Sequence, residues 1–102
     1  MKLTKTTLND AYMAPPEKRS DDRGFFARAY CAREFAAHGL DPTIAQTNMS
    51  YNAFKGTVRG LHYQTEPVTE AKFVRCINGA IWDVIVDMRP ESSTYLQHFC
   101  VE

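Results

Sequence analysis

The sequence predicts a β-rich fold, on three observations. Aromatic side chains make up 12% of the 102 residues, as six Phe, five Tyr and one Trp, and such residues suit the pleated, half-buried surface of a sheet. Apolar residues tend to alternate with polar ones; the period of two puts Trp82, Val84, Val86 and Met88 on one face of a strand and Asp83, Ile85 and Asp87 on the other. Asn78-Gly79 separates two strand-like runs, and both residue types tolerate the positive φ of a type I′ turn. The length suits one domain over residues 1–102, since single hydrophobic cores commonly occupy roughly 100 to 150 residues.

The elements follow in chain order. Residues 14–24 carry two prolines, a glycine and six charges, so they are expected as a loop outside any packed sheet. Phe25 to Tyr30 reads as a strand. Cys31 to His38 reads as a short helix, with Gly39 free to take the left-handed C-terminal cap and Asp41-Pro42 ending it. Ala45 to Asn52 and Thr57 to Gln64 are β-like runs around Ala53-Phe54-Lys55-Gly56, which has the length and glycine of a hairpin loop. A polar connection over 65–70 leads to the hairpin expected from Lys72–Ile77, Asn78-Gly79 and Ala80–Met88, with one face core and the other bearing carboxylates. Arg89 to Ser93 makes a turn, and Thr94 to Val101 starts a further strand. There is no internal repeat and no low-complexity tract.

Composition removes several function classes. Lys plus Arg and Asp plus Glu each number 12, so no net field draws phosphate polymers or anionic lipid, and neither nucleic acid nor membrane is expected as a partner. No window approaches the roughly 18 apolar residues of a membrane span, and the N-terminus lacks the apolar stretch of a leader. Cys31, Cys76 and Cys100 are too few and odd in number for a disulfide framework, which favours a reducing cytoplasm. Phosphate-loop, dinucleotide and nucleophile-elbow motifs are absent, as is a Cys-x-x-Cys pair. His98 and Cys100 share one side of a strand but lack evident third and fourth ligands, so packing suits them better than a metal.

A polar cluster remains: Gln46, Asn48, Arg59, His62, Gln64 and Lys72. Spacing puts His62 and Gln64 on one strand face with Val58 and Gly60, where small or apolar neighbours could tune a base. A half-buried, hydrogen-bonded histidine fits the same pattern, and so do solvated charges at Arg59 and Lys72 and an ordinary turn at Asp21-Asp22-Arg23-Gly24.

Five segments, in order and at similar intervals, closely resemble the dTDP-4-dehydrorhamnose 3,5-epimerase family: Asp22-Arg23-Gly24-Phe25-Phe26, Gln46-Thr47-Asn48, Arg59-Gly60-Leu61-His62-Tyr63-Gln64, Lys72-Phe73-Val74-Arg75 and the Gly79 to Pro90 run. The hexapeptide is the most specific. The resemblance covers nearly the whole chain and implies a cupin-type jelly roll, incomplete at its C-terminus, with one short helix near residues 31–38. It also implies a homodimer that uses no metal or other cofactor and acts on a dTDP-sugar in making dTDP-L-rhamnose. Metal-binding cupins carry His-x-His, then a Glu, then six residues and a Gly. Here His62-Tyr63-Gln64 keeps one imidazole and Lys72 stands at the Glu interval, a ligand set that suits an anionic intermediate better than a cation.

Residue by residue, the resemblance makes His62 the general base and Lys72 the cation beside the enolate oxygen, as catalytic residues. Arg23 and Arg59 become substrate-binding arginines, and Gln46, Thr47 and Asn48 the segment that meets the nucleotide. Arg28 stands where the family usually has a substrate-contacting Glu, a reversed charge at a substrate-binding position. The family's Tyr acid, the Asp partnering the base and the nucleotide-stacking aromatic lie beyond residue 102. A non-catalytic nucleotide-sugar-binding or dimerisation domain, or a related 3-epimerase or ketoisomerase, are the other readings. Arg59 and His62 fall on opposite faces of a regular strand, so a break at Gly60, or a strand starting only after it, is expected.

Overall fold

The structure, a computed structural model, describes residues 1–102. It consists of three two-stranded antiparallel sheets, one short helix and long irregular stretches. The chain divides into two compact units, one built from Met1–Pro42 together with Cys76–Glu102, the other from Thr43–Arg75. All strands and the helix belong to the first.

In that unit β1 (Thr4–Lys5) pairs with β2 (Tyr12–Met13), Thr4 opposite Met13. The connection is held locally: the Thr6 hydroxyl oxygen accepts the Leu8 N–H at 3.1 Å, and the Thr6 N–H reaches the Ala11 carbonyl at 2.9 Å. This is the side-chain-to-backbone turn that a threonine favours.

β3 (Arg19–Asp21) pairs with β4 (Gly24–Phe26), so the expected loop over 14–24 is corrected at its end. Pro15 and Pro16 precede the ladder, where their missing N–H groups remove no bond from it. Asp22 and Arg23 form the two-residue turn, and Gly24 takes φ +134°, a conformation closed to most side chains. Both strands are exposed along their length, which is how so charged a segment can be a strand.

α1 (Ala32–Ala37) is the expected helix. Its C-terminus closes as a Schellman motif: Gly39 at φ +73° donates to the Ala36 carbonyl and Leu40 to that of Phe35. Phe35 is the residue it buries, against the Tyr30 ring at 5.0 Å between centroids.

β5 (Asp83–Val86) pairs with β6 (His98–Val101) in the register Asp83–Val101 to Val86–His98. The expected hairpin between Lys72–Ile77 and Ala80–Met88 does not form. Gly79 has the positive φ that the turn required, +77°, but local turn chemistry does not choose a strand's partner, and β5 takes the C-terminal strand instead. The expected faces also change, because the strand ends at Val86. Trp82 is 69% exposed, whereas Asp87 on the supposed solvent face is 6% exposed.

The apolar core is small: Leu3, Leu8 and Phe35. A folded monomer of this mass exposes about 5,800 Å² of surface, and this chain exposes 9114 Å². No helix is long and apolar enough to cross a membrane.

The second unit, Thr43–Arg75, contains neither helix nor strand. The turn expected near Ala53–Gly56 is present, with the Thr57 hydroxyl donating to the Phe54 carbonyl at 2.8 Å and Gly56 at φ +81°. The strands expected on either side of it are not formed as ladders. Val58, Leu61 and Tyr63 are all exposed; these residues have strand composition, but a strand exists only where another backbone accepts its hydrogen bonds.

Candidate active site

Six of the eight candidate residues lie in the second unit. Gly60 adopts φ +97°, a region costly for any residue with a Cβ, and no regular pairing runs from Thr57 to Gln64. The alternation that would have separated Arg59 from His62 is therefore not imposed. His62 is exposed, as are Gln46, Thr47 and Asn48 in their irregular stretch. Lys72 places Nζ 2.8 Å from Glu70 Oε1. Arg59 donates from Nε to Asn52 Oδ1 at 2.6 Å and from Nη2 to the Tyr51 carbonyl at 3.4 Å.

The other two candidates lie in the first unit. Arg23 sits in the β3–β4 turn, its backbone N–H 3.0 Å from Asp21 Oδ1 and its Nη2 2.7 Å from Asp21 Oδ2. Hydrogen bonds from that guanidinium, then from that N–H, hold the Asp21 carboxyl below its ordinary range. Arg28 follows β4 and donates from Nη1 to Glu34 Oε1 at 2.8 Å. Glu34 Oε2 in turn lies 2.7 Å from the Met1 ammonium, and hydrogen bonds from that ammonium first, then from Arg28, lower the Glu34 carboxyl. Arg28, Glu34, Glu17, Lys18 and Arg19 line one open pocket with Phe26 and Met1.

Each candidate cation is thus held by a near neighbour in sequence, while no hydrogen bond or ion pair joins any two of the eight. The chemistry available is that of an exposed imidazole with a lysine and an arginine in one unit, and two arginines on an exposed hairpin and its exit in the other. No group of three or more His, Cys, Asp or Glu side chains gathers where an ion could be held.

Three partners in these contacts, Glu34, Asn52 and Glu70, are not singled out by the sequence, since none carries a motif of its own. A further polar group lies outside them. Asp87 anchors a network with Arg89, Ser92 and Thr94; its sequence signal, Asp-x-Arg followed by Ser-x-Thr, was legible only as a turn.

Comparison with known proteins gives this arrangement its context. The family model described as dTDP-4-dehydrorhamnose 3,5-epimerase matches residues 5–102. A dTDP-4-dehydrorhamnose 3,5-epimerase of Sinorhizobium fredii is 39% identical over 95 residues, 93% of this chain and 49% of that protein. A dTDP-4-dehydrorhamnose 3-epimerase of Streptomyces niveus is 40% identical over 96 residues, 93% of this chain and 46% of that protein. The crystal structure of the Bacillus anthracis dTDP-4-dehydrorhamnose 3,5-epimerase with TDP and PPi bound superposes with a TM-score of 0.91 at 39% identity, covering 98% of this chain and 57% of that one. The chain spans about half the length of the curated relatives it matches. With the match running from Lys5 to the last residue, through Arg23, His62 and Lys72 alike, the chain belongs to the dTDP-4-dehydrorhamnose 3,5-epimerase family.

Proposed function

We propose that these residues are the N-terminal part of a metal-independent epimerase that converts dTDP-4-dehydro-6-deoxy-D-glucose to dTDP-4-dehydro-L-rhamnose. The observation that carries this reading is the family match over residues 5–102, which includes the His62 hexapeptide and Lys72. In this reading the chain is one portion of a single cupin-type jelly roll, works as a homodimer in the cytoplasm, and takes a dTDP-sugar; the relative from Bacillus anthracis was crystallised with TDP and PPi.

The C–H bond beside the C4 ketone breaks, its proton goes to the His62 imidazole, and the electron pair moves onto the C4 oxygen. Imidazole titrates close to neutral pH with little tuning, which suits a base. Negative charge develops on the enolate oxygen only as the bond breaks, so a cation there stabilises the transition state more than the ground state. Lys72 takes that role. Its ion pair with Glu70 holds the ammonium near the chain, and Glu70 must yield or share it when the enolate forms. Arg23 and Arg59 offer forked donors to the diphosphate, Arg28 meets the substrate from beyond β4, and Gln46, Thr47 and Asn48 border the nucleotide. A proton returned to the opposite face of the carbon completes the inversion at C5 and then at C3; the acid that delivers it comes from outside residues 1–102.

One further reading has an observation of its own: the match to a 3-epimerase favours inversion at C3 alone.

The test is proton NMR of the dTDP-4-keto sugar in D₂O, comparing this chain with its His62→Ala variant. A missing acid costs about 10²- to 10⁴-fold, so the expected result is slow wash-in of deuterium without efficient epimerisation, abolished in His62→Ala. Equal rates in the two proteins would remove His62 as the base, and rapid inversion by this chain would show that the acid is present.

A further inference from the structure

Among the four candidate cations, Arg59 is held differently. Arg23, Arg28 and Lys72 each face a carboxylate, that of Asp21, Glu34 and Glu70 respectively. Arg59 is held by two neutral oxygens, Asn52 Oδ1 at 2.6 Å and the Tyr51 carbonyl at 3.4 Å. Its charge is therefore oriented without being cancelled. Geometry adds a second point. The bonds use Nε and Nη2, the side edge of the guanidinium, so its end edge, Nη1 with the remaining Nη2 hydrogen, stays open to a pair of oxygens.

We propose that Asn52 is a positioning residue for Arg59, presenting the open edge of an uncompensated guanidinium to the diphosphate of a nucleotide sugar. The inference rests on the reading of Arg59 as a diphosphate-binding residue. An arginine free to rotate must be ordered when the ligand binds, and a side chain already ordered by Asn52 avoids that loss. A carboxylate at position 52 would orient the arginine equally well but would repel the ligand, which accounts for an amide there.

The experiment is calorimetric titration of TDP into the 102-residue chain and into Arg59→Ala, Asn52→Ala, Asn52→Asp and the Arg59→Ala/Asn52→Ala double variant, with ¹⁵N–¹H spectra of the Arg59 Nε–H group. Asn52→Ala is expected to weaken TDP binding roughly 3- to 10-fold and to speed exchange of the Arg59 Nε–H, without moving the unfolding midpoint. Asn52→Asp is expected to keep that proton protected and still weaken TDP, a combination that a merely structural asparagine would not produce. In the Arg59→Ala background, Asn52→Ala should have no further effect. If Arg59→Ala weakens TDP while Asn52→Ala changes neither affinity nor exchange, the positioning role is overturned and the diphosphate reading stands. If Arg59→Ala leaves TDP binding unchanged, or the unaltered chain binds no TDP, the diphosphate reading falls and the positioning role with it.

Discussion

Arg89 grips both oxygens of Asp87: Nε lies 2.9 Å from Oδ1 and Nη2 2.9 Å from Oδ2. Asp87 also accepts the Ser92 and Thr94 hydroxyls, each at 2.6 Å. Arg89 reaches on to Asp10 Oδ2 at 2.8 Å and to the Asn9 carbonyl at 2.9 Å. This pair therefore ties the β1–β2 turn to the β5–β6 connection, in a unit whose buried apolar side chains are few. With the Arg89 backbone N–H, 3.1 Å from Oδ1, the carboxylate accepts five hydrogen bonds, and a buried carboxylate so satisfied is cheap to keep and costly to disturb.

Asp87→Ala should accordingly destabilise the chain by about 2 to 4 kcal/mol, since it removes the buried acceptor that Arg89, Ser92 and Thr94 share, leaving Arg89 only Asp10 and the Asn9 carbonyl. Equilibrium urea unfolding followed by circular dichroism measures this. A loss below about 0.5 kcal/mol, the scale of an ordinary surface change, would show that the network is ornamental.

The same group predicts an acid limb. Hydrogen bonds from Arg89 first, then Ser92 and Thr94, hold the Asp87 carboxyl far below the usual carboxylate range. A carboxyl depressed in the folded state contributes fully above its unfolded pKa, about 3.9, and that contribution is lost as the pH falls toward the folded value. Urea midpoints should be insensitive to this group above about pH 5 and fall steadily between about pH 4 and 2. The slope should flatten in Asp87→Ala. An unchanged slope in the variant would assign the acid limb to other carboxylates.

Gly60→Ala tests the backbone beside His62. A Cβ at Gly60 would lie 3.5 Å from the His62 nitrogen and 3.8 Å from Nδ1, which is ordinary contact. The cost comes from φ +97° instead, about 1 to 2 kcal/mol for a residue with a Cβ. Because the segment belongs to no ladder, the expected effect is local: faster amide exchange over residues 57–64, with β5 and β6 unmoved. Unchanged exchange there would mean that the positive φ is not required.

Self-association is expected from the exposed surface. Phe25, Phe26, Val58, Leu61 and Trp82 are all well exposed, and unpaired β-like segments with apolar side chains recruit partners. Light scattering at low micromolar concentration should report a dimer or larger. A monodisperse monomer would contradict this.

Some of this protein was legible because its cause is local. Helix α1 ends where Gly39 can adopt a left-handed φ, and Asp22-Arg23 turns because short polar side chains and a following glycine allow it. The five family segments were likewise legible, since residue identity and spacing are properties of the chain itself. Strand partnership was not. Ala80–Met88 and Lys72–Ile77 both have strand composition, yet β5 pairs with β6 while residues 72–77 form no strand. A period of two records that a segment can lie in a sheet, whereas the hydrogen bonds that make it a strand depend on which backbone arrives beside it. The burial of Asp87 and the grip of Asn52 on Arg59 were decided at the same level. Each joins side chains no more than seven residues apart, and whether they meet at hydrogen-bond distance depends on the backbone path between them, which residue identity alone does not fix and the fold does.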